Sequence, residues 1–344
     1  MTSPVFIYDP TASDSLSKVR GIGRYLQILK ETLPTNTTFT SDLKTVPFES
    51  VFINPFINLV QPPLISKRIA KKQIGIIHDI IPIQFPQHFP VGLRGKLNIW
   101  RNKEILKHYD IIVTDSEASK KKIVAKLKVS GSKLKVIFPT LPKTFSFSSN
   151  AKYLPAGRHG EIPHTKYFIY VGDVTWNKNL VNLAKAIKLG TLPCVFVGKT
   201  FTDVIAVNSW TSDFHEFMKL TKDDKRFSFP GFVSDDQLKI LYKNAVANVL
   251  ISREEGFGFP YFEAASQKTP SILSDIEIFH ETSGEAALFV DQNNPENIAQ
   301  KMKKIYEAET LRRRLGQKAF ERSLLLSDSV AAWKLLLGSL QTQQ

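Results

Sequence analysis

The stretch that decides the fold runs from Val246 to His280: VANVLISREEGFGFPYFEAASQKTPSILSDIEIFH. Val246 to Ile251 is an apolar run of strand length. Residues 254–258 are polar and glycine-bearing, and Phe259 to Gln267 suits a helix with Pro260 in its first turn. A strand, a glycine turn and a helix N-terminus therefore follow one another. In a parallel α/β sheet this order places the turn at the carboxyl edge of a strand, where ligands bind. The first N–H groups of a helix have no partner within it, so those of Gly258, Phe259 and their neighbours converge on a site that favours an anion.

Glu255 precedes this helix and Glu263 lies one turn inside it, a spacing at which one ligand can meet both. Glu254 lacks that spacing and reads as a surface charge or a support for the pair. Glutamates at such positions are often no more than solvated helix charges, but here they sit inside a longer pattern. The string EGFGFPYFEAASQKTPSILSDI resembles the nucleotide-sugar-binding motif of retaining glycosyltransferases of family 4, two-domain enzymes of the GT-B type. Glu255, Gly256, Gly258, Pro260, Glu263 and Ala264 fall on that motif. The resemblance implies that Glu255 contacts the donor sugar hydroxyls and that Glu263 holds the ribose. It also implies that the turn amides from Gly256 through Phe257, Gly258 and Phe259 receive a phosphate.

The 344 residues suffice for two domains that each bury a core, and 42% hydrophobic with 23% charged residues describes an ordinary globular chain. Cys194 is the one cysteine, which rules out an internal disulfide framework and fits a reducing compartment. The first residues carry no basic segment followed by a long apolar one, and no uncharged apolar run reaches about 18 residues. The expectation is a cytoplasmic protein without a membrane span. The formal net charge of +14 is concentrated before residue 166, where Lys and Arg outnumber Asp and Glu about two to one; beyond it the signs nearly balance. A basic first half suits a polyanionic surface, with an anionic membrane at the inner face of the bilayer as the expected peripheral partner. Nucleic acid is disfavoured, because the aromatics are not interleaved with the basic runs as stacking platforms would be.

Taken in order, Val5 to Tyr8 reads as a first strand, followed by a glycine-bearing loop and an amphipathic helix with Ile22, Leu26, Leu29 and Leu33 on one face. Gly21 and Gly23 permit close backbone approach to a ligand, and Arg24 adds positive charge. The string GIGRY is similar to the acceptor-side glycine loop of the same family. Val51 to Ile53 and Gln73 to Ile77 read as further strands. His78-Asp79 follows the second, ahead of IIPIQFPQHFP, which is too proline-rich for a helix or a central strand and reads as a loop. A His-Asp pair after a strand resembles the family's active-site histidine, which assigns His78 a place facing the donor sugar. Gly92 to His108 is a basic helix with Leu93, Leu97 and Trp100 along one stripe, suited either to a membrane surface or to core packing. Ile111 to Thr114 and Leu134 to Phe138 are strands flanking a helix capped by Asp115 or Ser116.

Residues 151–165 lose all periodicity and read as a linker between a first domain, 1–150, and a second, 166–328. A second alternating series then begins at Tyr167. After its first strand comes GDVTWNKNL, where Asn177 and Lys178 overhang the carboxyl edge and a lysine can neutralise a departing diphosphate. This turn is similar to the family's G-x-x-x-x-R-K-N-L turn, with Gly172 on the donor side and Asn177 replacing the usual basic residue. Arg253 is the expected compensating cation. Phe232 and Val233, ahead of the helix from Ser234 to Asn244, match positions whose backbone contacts the nucleobase. The last stretch, 329–344, is amphipathic and by the family's architecture crosses back onto the first domain.

The expected fold is thus α/β and GT-B: two doubly wound Rossmann-like domains facing a central cleft. The implied reaction is retaining transfer of a sugar, mannose or glucose, from a GDP- or UDP-linked donor to a hydroxyl of a glycan or lipid-linked acceptor. The expected catalytic residues are His78, Lys178 and Glu255. No Asp-x-Asp pair occurs, which fits leaving-group stabilisation by Lys178 and backbone dipoles without a metal or resident cofactor. The alternatives are a same-fold epimerase or phosphorylase, or a non-catalytic basic protein docking on a membrane or nucleic acid.

Overall fold

The computed structural model describes residues 3–12, 21–145, 165–202, 209–326 and 328–341. The chain forms two compact units: Met1–Pro142 with Leu326–Gln344, and Lys143–Leu325. The linker expected at 151–165 lies, except for Thr165, outside the described residues, as do residues 13–20 of the first loop.

Unit 1 contains β1 (Val5–Tyr8), α1 (Gly21–Thr32), β2 (Thr38–Thr40), β3 (Val51–Asn54), β4 (Lys72–Ile76), α2 (Ile81–Gln84), α3 (Gly92–Ile105), β5 (Ile111–Thr114), α4 (Glu117–Leu127) and β6 (Leu134–Val136). Its strands form one parallel sheet in the order β2-β1-β3-β4-β5-β6. Every residue of β3 is buried, because helices cover both faces of a parallel sheet and its central strands become continuous apolar runs.

Unit 2 contains β7 (Phe168–Val171), α5 (Leu180–Gly190), β8 (Cys194–Val197), α6 (Ser212–Thr221), β9 (Phe227–Gly231), α7 (Asp235–Asn244), β10 (Ala247–Leu250), α8 (Phe259–Ser266), β11 (Ser271–Ser274), α9 (Glu277–Ser283), β12 (Ala287–Val290), α10 (Pro295–Glu307) and α11 (Glu309–Leu325). The strand order is β12-β11-β10-β7-β8-β9, again all parallel. The chain starts at β7, builds outward through β8 and β9, then returns to the other side of β7 with β10. The loops after β7 and β10 consequently emerge side by side where the order reverses, the position at which open α/β sheets bind ligands.

The last helix, α12 (Ser329–Gln341), packs in unit 1 with Trp333, Leu336, Leu337 and Leu340 buried, and it contacts α1. By length and composition residues 309–340 include a window apolar enough for a membrane span, at a mean hydropathy of 1.2; Trp333, Leu336, Leu337 and Leu340 in this stretch are buried in unit 1, whereas Leu324, Leu325, Val330 and Leu335 are exposed.

Local signals explain several element boundaries. Ser116 caps α4 by accepting from the Ser119 N–H, and Ser234 with Gln237 forms a reciprocal capping box on α7. Two expectations need correction. The proline-rich IIPIQFP is not all loop: α2 forms because Pro82 sits in the first turn, where its missing N–H costs nothing. Gly21 and Gly23 are not in a loop but open α1, and a side chain added at Gly21 would meet open space.

Candidate active site

The loops after β7 and β10 build the unit 2 site. The first folds into a short 3-10 turn, Trp176–Lys178, that ends on Asn179 in the left-handed region (φ 58°). Asn179 is fully buried, and its amide donates to the carbonyls of Ile251 (3.0 Å) and Gln292 (2.7 Å). Asn177 is also buried and donates to the Glu254 carbonyl at 3.0 Å, while the Arg253 N–H donates back to the Asn177 carbonyl at 2.7 Å. Three of these hydrogen bonds sew the two loops together and the fourth ties the first loop to the segment after β12; a bulky cation at 177 would break the one from Asn177 to Glu254.

On this frame the Lys178 ammonium meets the Glu255 carboxylate at 2.7 Å. The Ser252 hydroxyl donates to the same oxygen, Oε1, also at 2.7 Å. Both partners are thus on Oε1, and Oε2 has no hydrogen bond among the described residues. Glu254 is buried rather than a surface charge, and its carboxylate accepts the Glu255 N–H at 3.1 Å.

Gly258 caps α8 at φ 88°, a conformation that favours glycine, and an added Cβ would stand 2.8 Å from the Phe279 ring. This residue lets the chain turn sharply from β10 into the helix, so that the α8 N-terminus faces the same carboxyl edge. Phe257 is buried and stacks on Phe262 with ring centroids 4.6 Å apart, and Phe259 meets Phe257 edge-on at 5.3 Å. Phe257 anchors the turn in the core, while Phe259 is half-buried at its edge. Glu263 is 4% exposed and its Oε2 accepts from the Tyr242 hydroxyl at 3.0 Å, so it is no solvated helix charge.

Arg253 is placed differently from the other expected cation. Its guanidinium pairs with Asp213 of α6 at 3.0 Å, donates to the Trp176 carbonyl and lies 4.9 Å from the Trp176 ring centroid. Its charge is therefore already matched within unit 2. Phe232 is exposed and Val233 half-buried between β9 and α7. Gly172 follows β7 with its N–H on the Val197 carbonyl, and a side chain there would collide with the Tyr170 hydroxyl.

Unit 1 assembles a second cluster at its own carboxyl edge. His78, after β4, places Nδ1 2.6 Å from Asp115 Oδ2, after β5, and Nε2 3.1 Å from the Pro55 carbonyl, after β3. A carbonyl and an ionised carboxylate accept, so the two contacts together favour a ring that donates from both nitrogens, the imidazolium. Burial opposes that charge, but the Asp115 carboxylate, by attraction and hydrogen bond, with Asp79 and the Pro55 carbonyl, holds the His78 pKa above its ordinary value. The Tyr25 ring meets the imidazole edge-on at 4.4 Å and Phe56 lies against it at 5.6 Å. Both nitrogens are thereby committed, which leaves His78 its ring face or main chain to present. Nearby in the same unit a pocket of about 230 Å³ is lined by Tyr8, Ile22, Asn54, Phe56, Asn102 and Tyr109. Ile22 stands between Gly21 and Gly23. Arg24 is half-buried in the first turn of α1.

Ser252, Asn179 and Tyr242 carry no signal in the sequence, and Asp115 shows there only as a helix cap. Asn179 and Asp115 act through partners distant in sequence that the adjacency of β7 with β10, and of β4 with β5, brings together; Tyr242 on α7 reaches Glu263 on α8, and Ser252 meets Glu255 three residues on.

With a Lys-Glu pair and a glycine-capped helix at the switch point of one of two parallel α/β units, the fold is a GT-B architecture. The chain resembles solved structures of that type: Anabaena HepE in complex with UDP-glucose (TM-score 0.71, 12% identity, 98% of this chain and 99% of that one) and sucrose-phosphate synthase from Thermosynechococcus elongatus (TM-score 0.67, 17% identity, 86% and 74%). Residues 157–322 match the family Glycosyl transferases group 1. Among curated relatives, the O-antigen chain mannosyltransferase RfbU of Salmonella typhimurium is 27% identical over 69% of this chain and 62% of its own length. The O-antigen chain mannosyltransferase B of Escherichia coli is 24% identical over 77% and 71%. Fold and matches together support a glycosyltransferase of the GT-B type.

Proposed function

We propose that this chain transfers mannose from a nucleoside-diphosphate donor, GDP-mannose in the first instance, to a hydroxyl of a glycan or lipid-linked acceptor with retention at the anomeric carbon. The observation that carries this reading is the Lys178–Glu255 pair beside the N-terminus of α8. A diphosphate seated on the helix N–H groups would take over the Lys178 ammonium from Glu255, and the developing charge on the leaving phosphate would be met by a fixed cation and fixed dipoles. Glu255, steadied by Ser252, would hold sugar hydroxyls through its second oxygen, and Glu263, steadied by Tyr242, would hold the ribose. His78 lends its edge of unit 1 a fixed positive charge instead of a proton-accepting nitrogen.

Retention is assigned to front-face attack assisted by the departing phosphate. Glu255 Oε1 is engaged by both Lys178 and Ser252, which suits orienting a polyol better than forming a covalent bond. Mannose is favoured by the names of the relatives in two bacteria, while the HepE complex with UDP-glucose keeps a uridine-linked donor as the second candidate.

The test is product analysis by NMR after incubation with GDP-mannose and, separately, UDP-glucose, each with and without a mannose-terminated acceptor. The expected product is a new α-mannosyl linkage from GDP-mannose that requires the acceptor. Donor cleavage by phosphate, donor epimerisation, or no turnover with either donor would overturn the reading.

A further inference from the structure

The helix α3 is built inside out. Its inward face carries amides: Asn98 donates to the Val60 carbonyl at 3.1 Å, and Asn102, buried, donates to the carbonyls of Leu59 (3.2 Å) and Gln61 (2.8 Å). Its outward face carries Leu93 (85% exposed), Leu97 (45%) and Trp100 (61%). An α-helix advances about 100° per residue, so these three fall within an arc of about 60°. Arg94 and Arg101 flank that arc on one side and Lys96, Lys103 and Lys107 on the other, with Lys96, Arg94, Arg101 and Lys107 exposed. The one acid on the face, Glu104, is paired with Lys107 at 2.5 Å. Core packing, the other role open to this stripe, is excluded by its exposure.

We infer that the outward face of α3 is a docking surface for an anionic lipid bilayer. Leu93, Leu97 and Trp100 enter the boundary between headgroups and acyl chains, while the flanking Arg and Lys side chains reach the lipid phosphates. Charge complementarity selects this occupant: an apolar ridge between two basic rims matches an apolar interior beneath an anionic surface. A nucleic acid would pair with the rims but leave two leucines unburied. The amides of Asn98 and Asn102 fix the rotation of the helix, so the ridge needs no refolding to insert. On its inner side the same helix contributes Asn102 and Ile105 to the 230 Å³ pocket, which brings the bound surface close to a cavity at the carboxyl edge of unit 1. The inference does not depend on the transferase reading.

The test is co-sedimentation of the full chain with vesicles of phosphatidylglycerol and phosphatidylcholine in equal parts, against pure phosphatidylcholine, with no nucleotide or sugar present. The expected result is binding to the anionic vesicles alone, weakened at 1 M salt, where the Debye length falls to about 3 Å. The combination Leu93→Ser, Leu97→Ser, Trp100→Ser should lower the affinity by about tenfold or more with unchanged circular dichroism. Arg94→Glu with Arg101→Glu, which leaves the ridge intact, should weaken binding at low salt and remove most of its salt dependence. Trp100→Phe should retain sedimentation yet lose the blue shift of fluorescence on vesicle addition. The inference is overturned if the wild type does not sediment with anionic vesicles, or if the serine variant binds as the wild type does. It is equally overturned if the ridge instead mediates a concentration-dependent dimer or salt-sensitive RNA binding without vesicle binding.

Discussion

Each of the two sheets carries a cation paired with a carboxylate at its carboxyl edge, Lys178 with Glu255 at 2.7 Å in unit 2 and His78 with Asp115 at 2.6 Å in unit 1. The lengths are alike and the construction is not. His78 spends both nitrogens inside the protein, on a carboxylate that is 2% exposed and on a main-chain carbonyl, so its charge is fixed in place. Lys178 sits on a flexible stem, shares Glu255 with Ser252 and leaves Glu255 one carboxylate oxygen over. One pair is closed within the framework, and the other, on the proposed reading, exchanges partners when a diphosphate binds.

The widest gap between the two pairs should appear in turnover. Lys178→Ala or Glu255→Gln is expected to lower the rate of sugar transfer by about 10²- to 10³-fold, the effect of removing one preorganised charge at a transition state. Both side chains are mostly buried, at 19% and 11% exposed, so the thermal midpoint should fall as well, and turnover is compared in variants whose circular dichroism is unchanged. Near-wild-type turnover in either variant would break the comparison.

The His78 pair should instead appear in stability. Asp115→Asn leaves a largely buried imidazolium without its counter-charge and is expected to cost about 3 kcal/mol by chemical denaturation. The pH dependence sharpens the assignment. The folded-state pKa of His78 is raised above 6.5, so the pair's contribution is complete below that pH and is lost as pH rises through the folded value. The deficit of the Asp115→Asn variant should therefore be largest in mildly acidic buffer and shrink in alkaline buffer. A deficit that grows with pH would contradict the imidazolium.

Much of unit 2 is legible in the sequence because its signals are local. The strand, glycine turn and helix around Glu255, and the cap at Ser234, lie within a few residues of the groups they organise. The two-sheet architecture follows from the alternation of apolar runs with amphipathic segments. What stays hidden depends on contacts distant in sequence. Asn177 looks like a lost cation, yet its amide braces Glu254 across 77 positions. Arg253 looks like its replacement, yet Asp213, 40 positions away, claims its guanidinium. The edge strand β2, three residues of threonine and phenylalanine, offers too short a pattern to read. The stripe on α3 is visible as a periodicity, but which way it faces is decided by Asn98 and Asn102, whose carbonyl partners lie about 40 residues upstream.

The most direct test of the central claim is the thermal shift of the wild type and Lys178→Ala with GDP and UDP, without added metal. A nucleoside diphosphate at 100 times its Kd adds about 2.7 kcal/mol to the folded state. The account predicts a shift of the wild type with one of the two nucleotides, GDP first, and a much smaller shift of Lys178→Ala. No shift with either nucleotide, or equal shifts for both proteins, would contradict the assignment of Lys178 and the α8 N-terminus as the diphosphate site.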